Sequence, residues 1–245
     1  MRVLDLFSGR GGFCKPWADN GHEVVTLDND TDGTFSSTHT TNISNFSPLD
    51  HYPVGHFDVI LAGVPCTEYA RWGMRGVNRT LQSMDPETIR PKNELLNEFI
   101  RIRDELKPTY WVVENVRSSI PFISEHLGRP SVRIGMRWFW SNTTGFETFF
   151  GPTEMKLIQL AYIPKTHRHR MLDKKTGKYR WVGRSRRGVA RKLSTIEYSI
   201  SEAWVCFLTK DMVSWRRRAS ERILEIRRSR GDYNRKAKES KLILP

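Results

Sequence analysis

The stretch "RVLDLFSGRGGFCKPWADNGHEVVTLD" (residues 2 to 28) restricts the fold more than any other. "RVLDLF" is a short apolar run rich in strand formers, and "SGRGG" after it is a turn with three glycines. "FCKPWADNG" reads as a helix that Gly21 stops, with Pro16 in its first turn, where the missing N–H costs little. "HEVVTLD" is a second strand ending at Asp28. A β-loop-α-β opening implies a parallel sheet joined by a right-handed crossover.

Later segments extend the same architecture. "FDVILA" (57 to 62) is apolar throughout, as a strand covered on both faces should be. "YWVVENV" (110 to 116) is a strand running into Glu114. Between them, "KNELLNEFIRIRDELKP" is a helix with Leu95, Phe99, Ile102 and Leu106 on one face, bracketed by Pro91 and Pro108. Residues 31 to 56 read as loop with a short strand around Asn42–Ile43. Residues 71 to 91 show no period and are too long for a passive connection, so a mobile loop at an active site is expected there. "SVRI" and "LIQLAYI" read as further strands, and the stretch from 165 to 192 has no periodicity. "SISEAWVCFLTKDMVSWRRRASERILEIRRSR" reads as one long helix or two. The expectation is an α/β fold with a doubly wound (Rossmann-like), mostly parallel sheet over residues 1–164. A small basic C-terminal region follows, with a basic stretch at 165–195 and a helical basic segment at 196–245.

Charge points to the partner. The net charge is +13, and twelve of the cations lie between Lys165 and Lys192 against the single acid Asp173. A second basic run extends from Arg216 to Lys241. Tyr179, Trp181 and Trp215 are interleaved with these cations, which favours nucleic acid over a merely solvated basic surface. No apolar run approaches the ~18 residues a membrane span needs, and the amino terminus enters a strand at once. A cytoplasmic protein is therefore expected, with phage or virus origin left open. The three cysteines, Cys14, Cys66 and Cys206, are far apart and form no C-x-x-C, which suits a reducing compartment and no zinc site.

The strand ends carry the candidate chemistry. "FSGRGG" between a strand and a helix is a nucleotide-type loop, and Asp28 follows Gly11 by about 17 residues, near the spacing of an acid that binds a ribose. The pattern is G-x-G-G, without the glycine cradle of a pyrophosphate site, and suits an adenosine-containing ligand. Cys66, in "GVPCTEYA", stands where a parallel strand ends, and so does Glu114. Two readings stand for Cys66: a small residue in a turn, or a nucleophile whose attack on an electron-poor ring carbon is drawn by an acid.

"DLFSGRGGF" (5 to 13), "PCTEYA" and "ENV", in this order, resemble the DNA cytosine-C5 methyltransferases over roughly residues 2 to 116. The resemblance implies a fold of the S-adenosylmethionine-dependent methyltransferase type. It implies a cofactor site for S-adenosylmethionine made by Phe7, Ser8, Gly9, Gly11, Gly12 and Phe13, with Asp28 and Asn29, Asn42 and Ile43, and Gly63 and Pro65. It implies that Cys66 adds to cytosine C6 while Glu114 engages N3, so that C5 takes the methyl group. The base would be flipped out of double-stranded DNA or presented on a single strand. The loop after Cys66 would close over it. Arg168 and Arg170 fit the family's Arg-x-Arg element near the base, and "RSRR" (184 to 187) competes for that role.

The departures also carry information. Only about 25 residues separate Arg170 from Ser194, so the target-recognition region is minimal. Asn42 stands for a usual Asp, Tyr69-Ala70 for Phe-Ser, and the late Gly-Asn signature is absent. "YSISEAW" resembles a remnant of the terminal helix that packs beside the cofactor. This compactness is similar to that of small phage-encoded methyltransferases and implies short or relaxed target specificity. The rival readings are the same chemistry on RNA, a nucleic-acid-binding protein that kept the fold, and transfer of a group bulkier than methyl.

Overall fold

A computed structural model describes residues 1–9, 11–29, 37–76, 78–161, 169–172, 179–182, 200–219 and 221. In chain order the elements begin with β1 (Arg2–Leu6), α1 (Lys15–Asp19), β2 (Glu23–Asp28), β3 (His39–Thr40), β4 (Val59–Ala62) and α2 (Thr67–Met74). Next come α3 (Arg79–Gln82), α4 (Pro86–Ile89), α5 (Glu94–Leu106), β5 (Tyr110–Val116) and α6 (Ile120–Leu127). Then follow β6 (Val132–Ile134), β7 (Arg137–Ser141), α7 (Phe146–Ala161), β8 (His169–Leu172) and β9 (Tyr179–Val182). Two helices, α8 (200–209) and α9 (212–219), end the described chain.

The sheet has seven strands in the order β3-β2-β1-β4-β5-β7-β6. β1 pairs in parallel with β2 on one side and with β4 on the other, and β4 pairs in parallel with β5. β7 runs antiparallel between β5 and β6. The chain therefore winds outward from β1 in both directions. The strand order reverses between β1 and β4, and that is where open α/β sheets hold ligands, beyond the carboxyl ends of the strands.

Two hydrophobic layers cover the sheet. Val3, Val59, Leu61 and Val112 pack with Trp17 of α1, Phe146 and Phe150 of α7, and Trp204 and Phe207 of α8. Leu4, Leu6, Ile60, Ala62 and Val113 pack with Tyr69 of α2, Phe99 and Ile102 of α5, and Phe122 of α6. Successive strand residues face opposite layers, and both are apolar, so β4 reads as an unbroken apolar run, while β1 interrupts its own with the buried Asp5.

Several local expectations change. The short strand near Asn42 is His39–Thr40, paired with Leu27 and Asp28. Asn42 instead caps the 3-10 turn Ile43–Asn45, accepting from Ser44 N at 3.0 Å. Residues 71–91, expected as an irregular loop, hold the rest of α2 together with α3 and α4. Each helix is too short to show a period. On α5, Leu96 is the buried residue at the position expected for Leu95. "LIQLAYI" is helical as far as Ala161, because Met155 and Ile158 reach the core at helical spacing. The strand β7, unread in the sequence, joins β6 through Gly135 and Met136. The basic stretch contains the antiparallel pair β8–β9, a separate two-stranded sheet. The last long segment is two helices, divided at Lys210 with φ of 60°. Among the described residues, no helix is long and apolar enough to cross a membrane.

Candidate active site

The loop after β1 is held in a demanding backbone. Phe7, Gly9 and Gly11 all have positive φ, at 63°, 49° and 70°. A phenylalanine in that region costs about 1–2 kcal/mol and marks a conformation that its surroundings impose. The constraint is visible: Ser8 N donates to Leu27 O at 3.2 Å, and Gly9 N donates to Asp28 Oδ2 at 2.7 Å. Asp28 therefore clasps the glycine loop to the end of β2. Gly11 N closes the turn on Ser8 O at 2.8 Å, and Gly11 O accepts from Lys15 N at 2.8 Å, so the loop runs directly into α1. Gly12 is buried, Phe13 is partly buried and Asn29 is exposed. On the far side Ser201 Oγ of α8 donates to Phe13 O. Helix α8 thus packs behind this loop.

The loop after β4 faces it across the switch point. Val64 is buried, while Pro65 is exposed and Cys66 partly buried. Cys66 stands at the amino end of α2, and its carbonyl accepts from Ala70 N at 2.8 Å. Asn115 Nδ2 donates to Val64 O at 3.1 Å, and Asn115 Oδ1 accepts from Val116 N at 2.8 Å. Asn115 is 1% exposed. This amide ties the Cys66 loop to β5 two residues before the sulfur. Glu68 turns away from the strand ends and accepts from Lys92 N at 3.0 Å. Tyr69 OH donates to Asn93 Oδ1 at 2.9 Å, so α2 is fixed to the start of α5.

Three cysteines can now be told apart. Cys14 is buried, and burial, with Asp5 beside it, pushes its thiol far above the ordinary range. Burial and Asp211 push Cys206 up to about 12. Cys66 alone of the three is not fully buried.

Glu114 lies on β5, one residue beyond Val113, which pairs with Ala62. Its Oε1 accepts from Arg137 Nη1 at 2.7 Å, and the two side chains are 17% and 19% exposed. Arg137 was not singled out in the sequence. Its signal was the aromatic run "RWFW" after a Gly-Met turn, which makes β7 a strand and puts Arg137 opposite Val116. Arg170 stands on β8, opposite Trp181, and Arg168 lies outside the described residues. Asn42 is exposed and Ile43 is buried. Arg101 braces this turn from α5, donating to Ile43 O at 3.2 Å and to Phe46 O at 2.9 Å.

A Cβ built on Gly9 or on Gly63 would meet nothing within 4 Å, so both glycines border open room. Among the described residues, no three His, Cys, Asp or Glu side chains come together as a metal site.

Residues 1–121 match the family model described as C-5 cytosine-specific DNA methylase. The chain is similar to the type II methyltransferase M.FnuDI of Fusobacterium nucleatum, 27% identical over 127 residues, covering 49% of this chain and 33% of that protein. It is similar also to the type II methyltransferase M1.HphI of Haemophilus parahaemolyticus, 29% identical over 128 residues, 47% of this chain and 32% of that one. The chain thus spans about a third of the length of the curated relatives it matches. Among solved structures, a DNMT2 variant from Spodoptera frugiperda aligns with 21% identity and a TM-score of 0.34, over 57% of this chain and 49% of that one.

Proposed function

We propose that the chain, whose residues 1–121 match the family model described as C-5 cytosine-specific DNA methylase, methylates C5 of cytosine in DNA. S-adenosylmethionine would supply an electrophilic methyl group on a sulfonium. The backbone of Phe7 to Gly12, with Asp28 clasping it, would hold that group at the switch point, and the Asn42–Ile43 turn would border its adenine. The reversal of strand order between β1 and β4 supports this placement.

The observation that carries the reading is the approach of two neighbouring strand ends. Cys66 follows β4 and Glu114 sits on β5, and Ala62 and Val113 are register partners. Cys66, as thiolate, forms a bond to C6 of the base. The electron pair of the C5–C6 double bond moves into the ring as Glu114, in its carboxylic-acid form, passes a proton to N3. Arg137 fixes the direction of the Glu114 carboxylate. C5 would take the methyl group as its bond to the sulfonium breaks and a neutral thioether leaves; the C5 proton would pass to water, N3 would return its proton to Glu114, and the C6–S bond would break to restore the double bond and the thiolate. Asn115 holds the Val64 carbonyl throughout, which keeps the sulfur in place. The base must leave the stack to reach these groups.

The test is mass spectrometry of nucleosides after incubation of the protein with DNA, and in parallel with RNA, and labelled donor. Labelled 5-methylcytosine from DNA is expected. Cys66→Ala should abolish it and should also abolish the covalent adduct with 5-fluorocytosine DNA. Product formation by Cys66→Ala at the wild-type rate would sink the nucleophile.

A further inference from the structure

The β6–β7 hairpin carries a feature that neither the cofactor site nor the Cys66–Glu114 pair uses. Its turn is two residues long, Gly135 and Met136, because Ile134 pairs directly with Arg137. Gly135 has φ of 61°, as so tight a turn requires. Met136 at the apex is 62% exposed, among the most exposed large apolar side chains described. The turn is stiff. Arg133 Nε donates across it to Gly135 O at 2.9 Å, and the Arg133 guanidinium lies 5.5 Å from the Trp138 ring.

Register fixes where this apex points. Arg137 pairs with Val116, at the carboxyl end of β5. The tip therefore projects from the sheet edge that also carries Glu114 and the Cys66 loop. Its surroundings are cationic: Arg117 and Arg133 are exposed, Arg137 is partly buried, and residues 131 to 141 include no acid. A rigid apolar tip in a basic surround suits a stacked polyanion. Apolar wedges, methionine among them, enter base steps and kink the duplex, and a flexible thioether fills the irregular gap left by an extruded base.

We propose that Met136 is a wedge that enters the base stack of duplex DNA beside the cytosine presented to Cys66. This rests on the DNA methylation reading above. The wedge offsets part of the unstacking cost, which every duplex target imposes and an unpaired target largely does not. It acts without reading sequence.

Two measurements test it. Wild type, Met136→Ala and Met136→Leu are assayed on a duplex pool with cytosine in every four-base context, and on the same pool with each target opposite an abasic site. Met136→Ala should lose at least about tenfold on the paired pool and keep its rate on the abasic pool, while Met136→Leu stays near wild type. Equal losses on both pools, or no loss on either, overturn the wedge. The second measurement needs no turnover: fluorescence energy transfer across an end-labelled duplex reports bending on binding. Wild type should bend it and Met136→Ala should bind without bending, whereas binding by wild type without a bend overturns the proposal. A wild type that bends DNA but methylates neither pool would defeat the activity and leave the wedge standing.

Discussion

Replacing Arg137 by methionine keeps most of the side-chain volume and removes the charge beside Glu114. The two side chains are 19% and 17% exposed and meet at 2.7 Å. With charge centres about 4 Å apart and an effective dielectric near 20, their attraction is worth about 4 kcal/mol before desolvation is charged against it. Breaking such a pair from one side leaves a poorly solvated carboxylate, so Arg137→Met should cost about 3 kcal/mol. Glu114→Gln removes the opposite charge from beside the guanidinium and should cost a similar amount. The double variant removes both charges and should cost clearly less than the sum, with a coupling of about 2–3 kcal/mol. Urea unfolding of the four proteins gives each value. The same variants, offered 5-fluorocytosine DNA, report on positioning. Arg137→Met retains Cys66 and Glu114 but should form the adduct on the order of 100-fold more slowly, because a displaced carboxylate no longer meets N3. A coupling below about 0.5 kcal/mol, or an unchanged adduct rate, would refute the claim that Arg137 holds Glu114.

Iodoacetamide on the folded protein should alkylate Cys66 first and leave Cys14 and Cys206 intact until denaturant is added, since burial raises both of those thiols; peptide mass spectrometry reads the order, and early labelling of Cys14 would contradict it. His39 is held below its ordinary value of 6.5 by burial and then by His51, so the unfolded chain binds the proton more readily. Stability should therefore fall as pH drops through about 6.5 and level off below the depressed value; in urea titrations, His39→Gln should show a shallower fall, and parallel curves would count against this. Lys107 ends α5 with φ of 50°, so Lys107→Gly should raise stability by about 0.5–1 kcal/mol, and a lower thermal midpoint would show that its side chain matters more than its backbone.

The parallel core was legible because strands covered on both faces leave a plain record: "VILA" and "YWVV" are short β-rich runs bounded by turn residues. Cys66 and Glu114 are proposed as site residues from motif order, and the register of β4 and β5 places them at neighbouring strand ends. Arg137 was not legible, since its partner lies 23 positions away and only the β5–β7 register brings them together. Asn115 was visible as a letter in "ENV", but its bond to Val64 O spans 51 positions and leaves no local pattern. The helices within 71–91 were hidden for another reason. Four-residue helices such as α3 and α4 complete about one turn, which is too little for any periodicity to register.

The bond from Ser201 to the Phe13 carbonyl joins residues 188 positions apart. It has a meaning for the timing of synthesis. At about 5–20 residues per second, roughly 10–40 s pass between the emergence of the glycine loop and that of its support. During that interval Val3, Val59, Leu61 and Val112 lack Trp204 and Phe207, the side chains that will cover them. The nascent amino-terminal half then presents a sticky half-core to the ribosome's surroundings. The final closure is a contact of very long range, the slowest kind for a chain to make. A glycine loop assembled this way gains its support only once α8 has left the ribosome, and premature termination would leave it unsupported.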